Sequence, residues 1–296
     1  MNLIPSTPNG SYHNAYQNLE DIQKHAPAED ISTETIQVKG KYGPTSELPM
    51  VFYTHVSGWI MGSASSFAVL LEDLARRTGA AIVFPNYTRA PHQIFPFPFE
   101  QSYEVLDYTV RHVKDFKLLV ETITLGGDSV GGHMAIAIMQ MSLERKLPTT
   151  IGQMVLWAPV TVTHKEYSSY KTCGDAPFLP AVTMQWMIDT FIPDKADRET
   201  DLASPLAFLP DEVSSKFLPT TIFLSTVDLL VDEGVAFGHR LQTLGVDAVV
   251  IEAEGQLHGF CLVKDLRQGP AAKAVLDLAA LRLCRIFPDR GCEISK

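Results

Sequence analysis

One serine stands between two glycines in Gly127-Asp128-Ser129-Val130-Gly131, a G-x-S-x-G pattern where an apolar run (121–129) meets a helix-like run (130–147). A sharp strand–turn–helix holds such a serine in a strained conformation, and neighbours without side chains let it stand clear. The hydroxyl then sits at a helix N-terminus, where partial positive charge favours an oxyanion. The competing readings are a glycine-rich turn that only packs strand on helix, or a phosphate cradle. The G-x-G-x-x-G spacing of a dinucleotide loop is absent. A serine hydroxyl is a weak nucleophile without a base. His258, in "EAEGQLHGF" just past the last strand-like run, is the candidate. The other late histidine, His239, lies inside a helical pattern and reads as a surface residue. "TTIFLSTVDLLVDEG" offers the acid. Asp228 follows the strand directly and can orient the imidazole. Asp232 and Glu233 precede a helix, where first-turn acids serve capping and the dipole.

These residues need a scaffold, and the chain alternates strand-like and helix-like runs. Strands are expected at 50–55, 80–87, 121–129, 151–159, 220–226 and 247–254. Helices are expected at 65–79, 99–116, 130–147, 233–244 and 269–286. Apolar strands separated by helices indicate an α/β fold whose mainly parallel sheet is covered on both faces. Two regions break the rhythm. Residues 1–45 are polar and hold one strand candidate, "ISTETIQV". Residues 160–219 contain an apolar helix, "VTMQWMIDTFI", followed by the polar "PDKADRETD". An insertion there suits a lid. The expected division is an N-terminal cap or edge segment (1–45), a core (46–160 and 205–296) and an inserted helical cap (161–204).

Composition narrows the partners. The 296 residues carry a formal charge of −10 and no Lys/Arg cluster, which argues against nucleic acid. Cys173, Cys261, Cys284 and Cys292 form no C-x-x-C pair and suggest free thiols in a reducing compartment. "MNLIPSTPNGSYHNAYQ" lacks the pattern of a signal peptide, and no run is long enough for a membrane span. A cytoplasmic protein is expected. Exposed edge strands make a homodimer plausible.

Together, Ser129 in "GDSVGG", Asp228 in "DLLVDEG", His258 in "HGF" and the stretch "YTRAPHQIFPFPFEQSYEVLDY" resemble the hormone-sensitive-lipase-like branch of the α/β-hydrolases, over residues 48–287. The resemblance implies an α/β-hydrolase fold with a helical cap and a serine carboxylesterase acting on a small or medium-chain ester. It implies a catalytic triad of Ser129, Asp228 and His258, with no cofactor and no metal. Where that family has His-Gly-Gly-Gly-Trp, this chain has His55-Val56-Ser57-Gly58-Trp59. By position, the oxyanion donors are the backbone N–H groups of Ser57 and Gly58, joined by Val130; a Ser57 hydroxyl could add another. A β-branched residue resists the left-handed conformation that glycine adopts freely, so Val56 implies strain or a reshaped loop. His55 reads as organising that loop, His133 as helix packing and Cys261 as core. The substrate-contact candidates are Trp59, Asp128, Tyr167, Met184, Trp186 and Phe191, several of which could equally be cap core. After "ISTETIQV" only "KGKYGPTSE" precedes the next strand, which implies a shorter edge than the family's. The altered loop and short N-terminus also fit a repurposed dehydratase or cyclase of specialised metabolism. The same fold can serve as a small-molecule-binding protein, but all three triad residues are present.

Overall fold

The computed structural model describes residues 47–287. The candidate strand at 31–38 and Cys292 lie outside the described residues. Among the described residues, six strands, β1 (Leu48–Thr54), β2 (Ala81–Val83), β3 (Leu118–Asp128), β4 (Thr150–Trp157), β5 (Thr220–Val227) and β6 (Ala248–Leu257), form one parallel sheet in the order β2-β1-β3-β4-β5-β6. Strand order reverses between β1 and β3. In an open parallel sheet, the loops leaving two such strands diverge and open a crevice at their C-terminal ends. The "HVSGW" loop leaves β1 there, and Ser129 leaves β3.

Helices cover both faces. In chain order they are α1 (Ala64–Thr78), α2 (Phe97–Arg111), α3 (Val113–Phe116), α4 (Val130–Glu144), α5 (Ser169–Thr172), α6 (Ala181–Phe191), α7 (Pro205–Phe208), α8 (Asp211–Ser214), α9 (Val231–Thr243) and α10 (Pro270–Cys284). Side chains alternate across a strand, so each strand feeds two cores. Met50 and Phe52 pack with Leu106 of α2, Ile136 and Met139 of α4 and Phe237 and Leu241 of α9. Val51 and Tyr53 pack on the opposite face with Phe67, Leu70 and Leu74 of α1 and Ala272, Leu276 and Ala279 of α10. Burial on both faces explains why the strands read as apolar runs rather than alternating ones.

Element boundaries moved where local chemistry intervened. The strand expected over 80–87 pairs with β1 only through Ala81–Val83, and Pro85 beyond it has no N–H to donate to a ladder. Helix α2 starts at Phe97, with Pro98 in its first turn, where a missing N–H costs nothing. The run expected to continue to residue 116 breaks at His112, and α3 then ends at Lys117, whose φ is 53°. Helix α4 ends at Glu144, just before Lys146 at φ 53°. Helix α1 stops where expected, at Gly79 with φ 63°. Its start at Ser63 is a capping box with Ser66.

A third apolar cluster lies between the sheet top and the segment after β4. It joins Trp59, Ile60 and Met61 of the "HVSGW" loop, Phe99 of α2, Val130 and Met134 of α4, Met184, Met187, Ile188 and Phe191 of α6, and Leu229 and Leu230. Residues 161–204 are also tied down by polar contacts. Arg198, 6% exposed, donates Nε to the Ile192 carbonyl (2.9 Å) and Nη2 to Asp189 Oδ1 (2.7 Å).

Candidate active site

Ser129 sits between β3 and α4 with φ 54° and ψ −121°, a conformation L-residues avoid and local packing enforces. Its N–H donates to the Trp157 carbonyl (2.7 Å), and its carbonyl accepts from Val160 and His133 N–H (3.1 Å each). The flanking glycines are required by close approach. A Cβ on Gly127 would lie 2.3 Å from the Gly131 carbonyl oxygen, and one on Gly131 would lie 2.1 Å from that of Thr54. The Thr54 hydroxyl closes the turn by donating to the Gly131 carbonyl (2.6 Å).

Across the sheet top, His258 Nδ1 lies 2.6 Å from Asp228 Oδ2. The other carboxylate oxygen, Oδ1, accepts from Leu230 N–H (3.0 Å), which fixes the acid's orientation. Asp228 is buried at the end of β5 and His258 follows β6. Burial works against a charged imidazole. The Asp228 carboxylate, its hydrogen bond and the nearby Asp128 outweigh it and raise the His258 pKa above its ordinary value. Ser129 and His258 line one cavity of about 20 Å³, walled by Tyr53, Trp157, Phe223 and Phe260. That is room for one water or a methyl group. Cys261 also lines it, with its thiol pushed up by burial, so it is uncharged and belongs to the core.

The loop after β1 accommodates Val56 without a left-handed conformation. Val56 does not take positive φ; its side chain joins the α1/α10 core and its N–H donates to Asp128 Oδ1 (3.2 Å). The left-handed turn begins one residue later, at Ser57 (φ 98°), Gly58 (φ 65°) and Trp59 (φ 61°). The Ser57 carbonyl accepts from Ile60 and Met61 N–H and closes the turn. Among the described residues, the N–H groups of Ser57 and Gly58 donate to no protein acceptor. His55 is wholly buried, stacked among Phe67, Phe84 and Tyr87, with Nδ1 2.7 Å from the Val56 carbonyl. Burial lowers its pKa to about 4, so it is a neutral strut of the loop.

The remaining candidates divide. Trp59, Met184 and Phe191 are fully buried; Trp59 stacks on Phe191 with ring centroids 4.6 Å apart. They pack into the apolar cluster beneath the insertion. Tyr167 and Trp186 are half-buried. Asp128 is buried, and its Oδ1 accepts from Tyr53 Oη (2.9 Å) as well as from Val56, so it ties the serine turn to the neighbouring loop. Burial pushes its pKa up to about 7, against the opposing pull of Tyr53 and His258. His133 packs edge-on to Trp59 and Phe99 with Nε2 2.7 Å from the Leu202 carbonyl, as a helix-packing residue would. No cluster of three His, Cys, Asp or Glu side chains suited to a metal occurs among the described residues.

Three residues were missed or misread. Asp232 and Glu233 do not merely cap α9. Asp232 Oδ2 accepts from Ser169 N–H (2.8 Å), and Glu233 Oε1 from the N–H groups of Thr161 (2.6 Å) and Val162 (3.3 Å). Met187 closes over the left-handed turn, since a Cβ on Gly58 would lie 2.3 Å from its sulfur. No local signal marks a methionine for that position. Two acids in a helix's first turn give no sign that their acceptors are used by a segment 60 or more residues away.

Known proteins share this fold. A family model described as alpha/beta hydrolase fold matches residues 51–262. An esterase of Gibberella moniliformis is 70% identical over 287 residues, covering 93% of this chain and 90% of that protein. An esterase of Fusarium pseudograminearum is 66% identical, covering 95% and 90%. Among solved structures, carboxyl esterase 2 of Tuber melanosporum superposes with a TM-score of 0.81 at 31% identity, covering 88% of each chain. A thermostable esterase of Pseudomonas putida gives 0.87 at 28% identity, covering 94% and 90%. With a sheet, serine turn and loop of this form, the chain belongs to the alpha/beta hydrolase fold family and is a hydrolase of carboxylic esters.

Proposed function

We propose that Ser129, His258 and Asp228 form a catalytic triad that cleaves a small carboxylic ester through an acyl-enzyme. The observation that carries the reading is the strained Ser129 on the wall of one cavity with a histidine held by a buried aspartate. His258 Nε2 takes the serine proton as Oγ attacks the carbonyl carbon. Asp228 holds Nδ1–H and stabilises the imidazolium. The tetrahedral oxyanion accepts from the N–H groups of Ser57, Gly58 and Val130. His258 then protonates the departing alcohol. A water activated by the same imidazole releases the acid and regenerates Ser129. The 20 Å³ cavity at Ser129 and His258 favours a short acyl group over a long one. Residues 161–204 act as a cap over the site, on the described core of 47–160 and 205–287.

The test is intact mass after incubation with a fluorophosphonate probe, alongside hydrolysis of a p-nitrophenyl ester series. The wild type takes up one probe and prefers acetate to octanoate. Ser129→Ala takes up none and loses about 10⁴-fold or more in kcat. A well-folded wild type that is neither labelled nor active on any ester refutes the triad and favours a repurposed, non-hydrolytic role.

A further inference from the structure

Ser57 is an anomaly that the backbone role of its loop does not explain. It takes φ 98° although it bears a side chain, in a turn where the following residue is a glycine at φ 65°. The strain of such a conformation would vanish with glycine. An oxyanion donor that acts only through its N–H has no use for a Cβ. Yet a serine occupies the position, 8% exposed, beside a turn sealed by Met187. The loop is held on both sides of it. Val56 N–H is anchored on Asp128, which directly precedes the nucleophile, and the Ser57 carbonyl accepts from Ile60 and Met61. Ser57 therefore cannot relax without disturbing the Val56–Asp128 contact or the turn that Ile60 and Met61 close. Among the described residues its hydroxyl has no hydrogen-bond partner, and neither has its N–H.

We propose that the Ser57 hydroxyl is a further oxyanion donor, acting with its own N–H on the same substrate oxygen. In a gauche rotamer a serine Oγ lies beside its own backbone nitrogen, so one acceptor can receive both hydrogens. The hydroxyl donates and keeps its proton, so no further acid or base enters the reaction. The inference rests on the acyl-transfer reading above. It assigns the departure from His-Gly-Gly-Gly a function: the chain keeps a strained serine because its side chain stabilises charge that develops only in the transition state.

The experiment compares Ser57→Gly and Ser57→Ala with the wild type, measuring Tm, kcat, KM and the affinity of a trifluoromethyl ketone, which places an oxyanion in the same position. Ser57→Gly removes hydroxyl and strain together. Its Tm should rise by roughly 2–4 °C, while kcat falls about tenfold or more with little change in KM. Ser57→Ala keeps the strain and loses only the hydroxyl, so kcat and ketone affinity fall equally without a gain in Tm. Wild-type kcat in Ser57→Ala, or wild-type or higher kcat in Ser57→Gly, overturns this inference alone. A wild type no more active on esters than Ser129→Ala overturns the acyl-transfer reading and this inference with it.

Discussion

His258 is the residue whose environment makes the most direct prediction. Burial opposes its charge, but Asp228 at 2.6 Å and the nearby Asp128 raise its pKa above the ordinary 6.5. A base must be neutral, so kcat/KM should fall as pH drops through a value above 6.5. Asp128, pushed up to about 7, titrates in the same window, so the acid limb belongs to the pair. Asp128→Asn removes one charge that favours the imidazolium. It keeps a side-chain oxygen for Tyr53 and Val56. The limb should shift to lower pH and sharpen towards a single ionisation. A wild-type limb at or below 6.5 would contradict this account of the site.

At the scale of elements, the segment after β5 does two jobs. Asp228 points back to His258, while Asp232 and Glu233 reach across to hold the insertion at Ser169 and Thr161. Glu233 is wholly buried and its Oε2 has no partner among the described residues. Burial raises its pKa from 4.5 to about 8, so the protonated acid is the form the fold favours. Its contribution to stability is therefore complete below 4.5 and is lost as pH climbs through about 8. Glu233→Gln cannot ionise and still offers an acceptor to Thr161. Its Tm should gain on the wild type between pH 6 and 9 and fail to gain at pH 4. A Tm difference independent of pH would show that Glu233 does not change protonation on folding. Ser129, Asp228 and His258 were legible as candidates from order and spacing, because each lies at the end of a strand readable from its own apolar run. Glu233 was not, because its partner lies in another segment and its i, i+1 neighbours suggest only a helix start.

For the molecule as a whole, the apolar cluster beneath the insertion links parts distant in sequence. Trp59, directly after Gly58, stacks on Phe191 at the end of α6, and Met187 covers Gly58 itself. The loop after β1 and the insertion are thus packed as one body. Phe191→Ala should cost roughly 3–5 kcal/mol in urea unfolding. It should also lower kcat at 25 °C, because Trp59 loses the surface that holds its left-handed turn. A variant that loses stability but keeps kcat would show that the loop stands without the insertion. No helix among the described residues is long and apolar enough to cross a membrane.

The sequence by itself determined the parallel α/β sheet and the strand–turn–helix at Ser129, and it singled out Asp228 and His258 as candidates. Those follow from local periodicity, from glycines flanking one serine and from chain order. Only the tertiary structure decided how the "HVSGW" loop accommodates valine. Val56 avoids positive φ; Asp128, brought alongside by the β1–β3 pairing, takes its N–H and the core takes its side chain, and the left-handed turn starts at Ser57. The same holds for Trp59, Met184 and Phe191. Their residue types suit a pocket wall or a core equally, and only the packing of the insertion onto the sheet assigns them to the core.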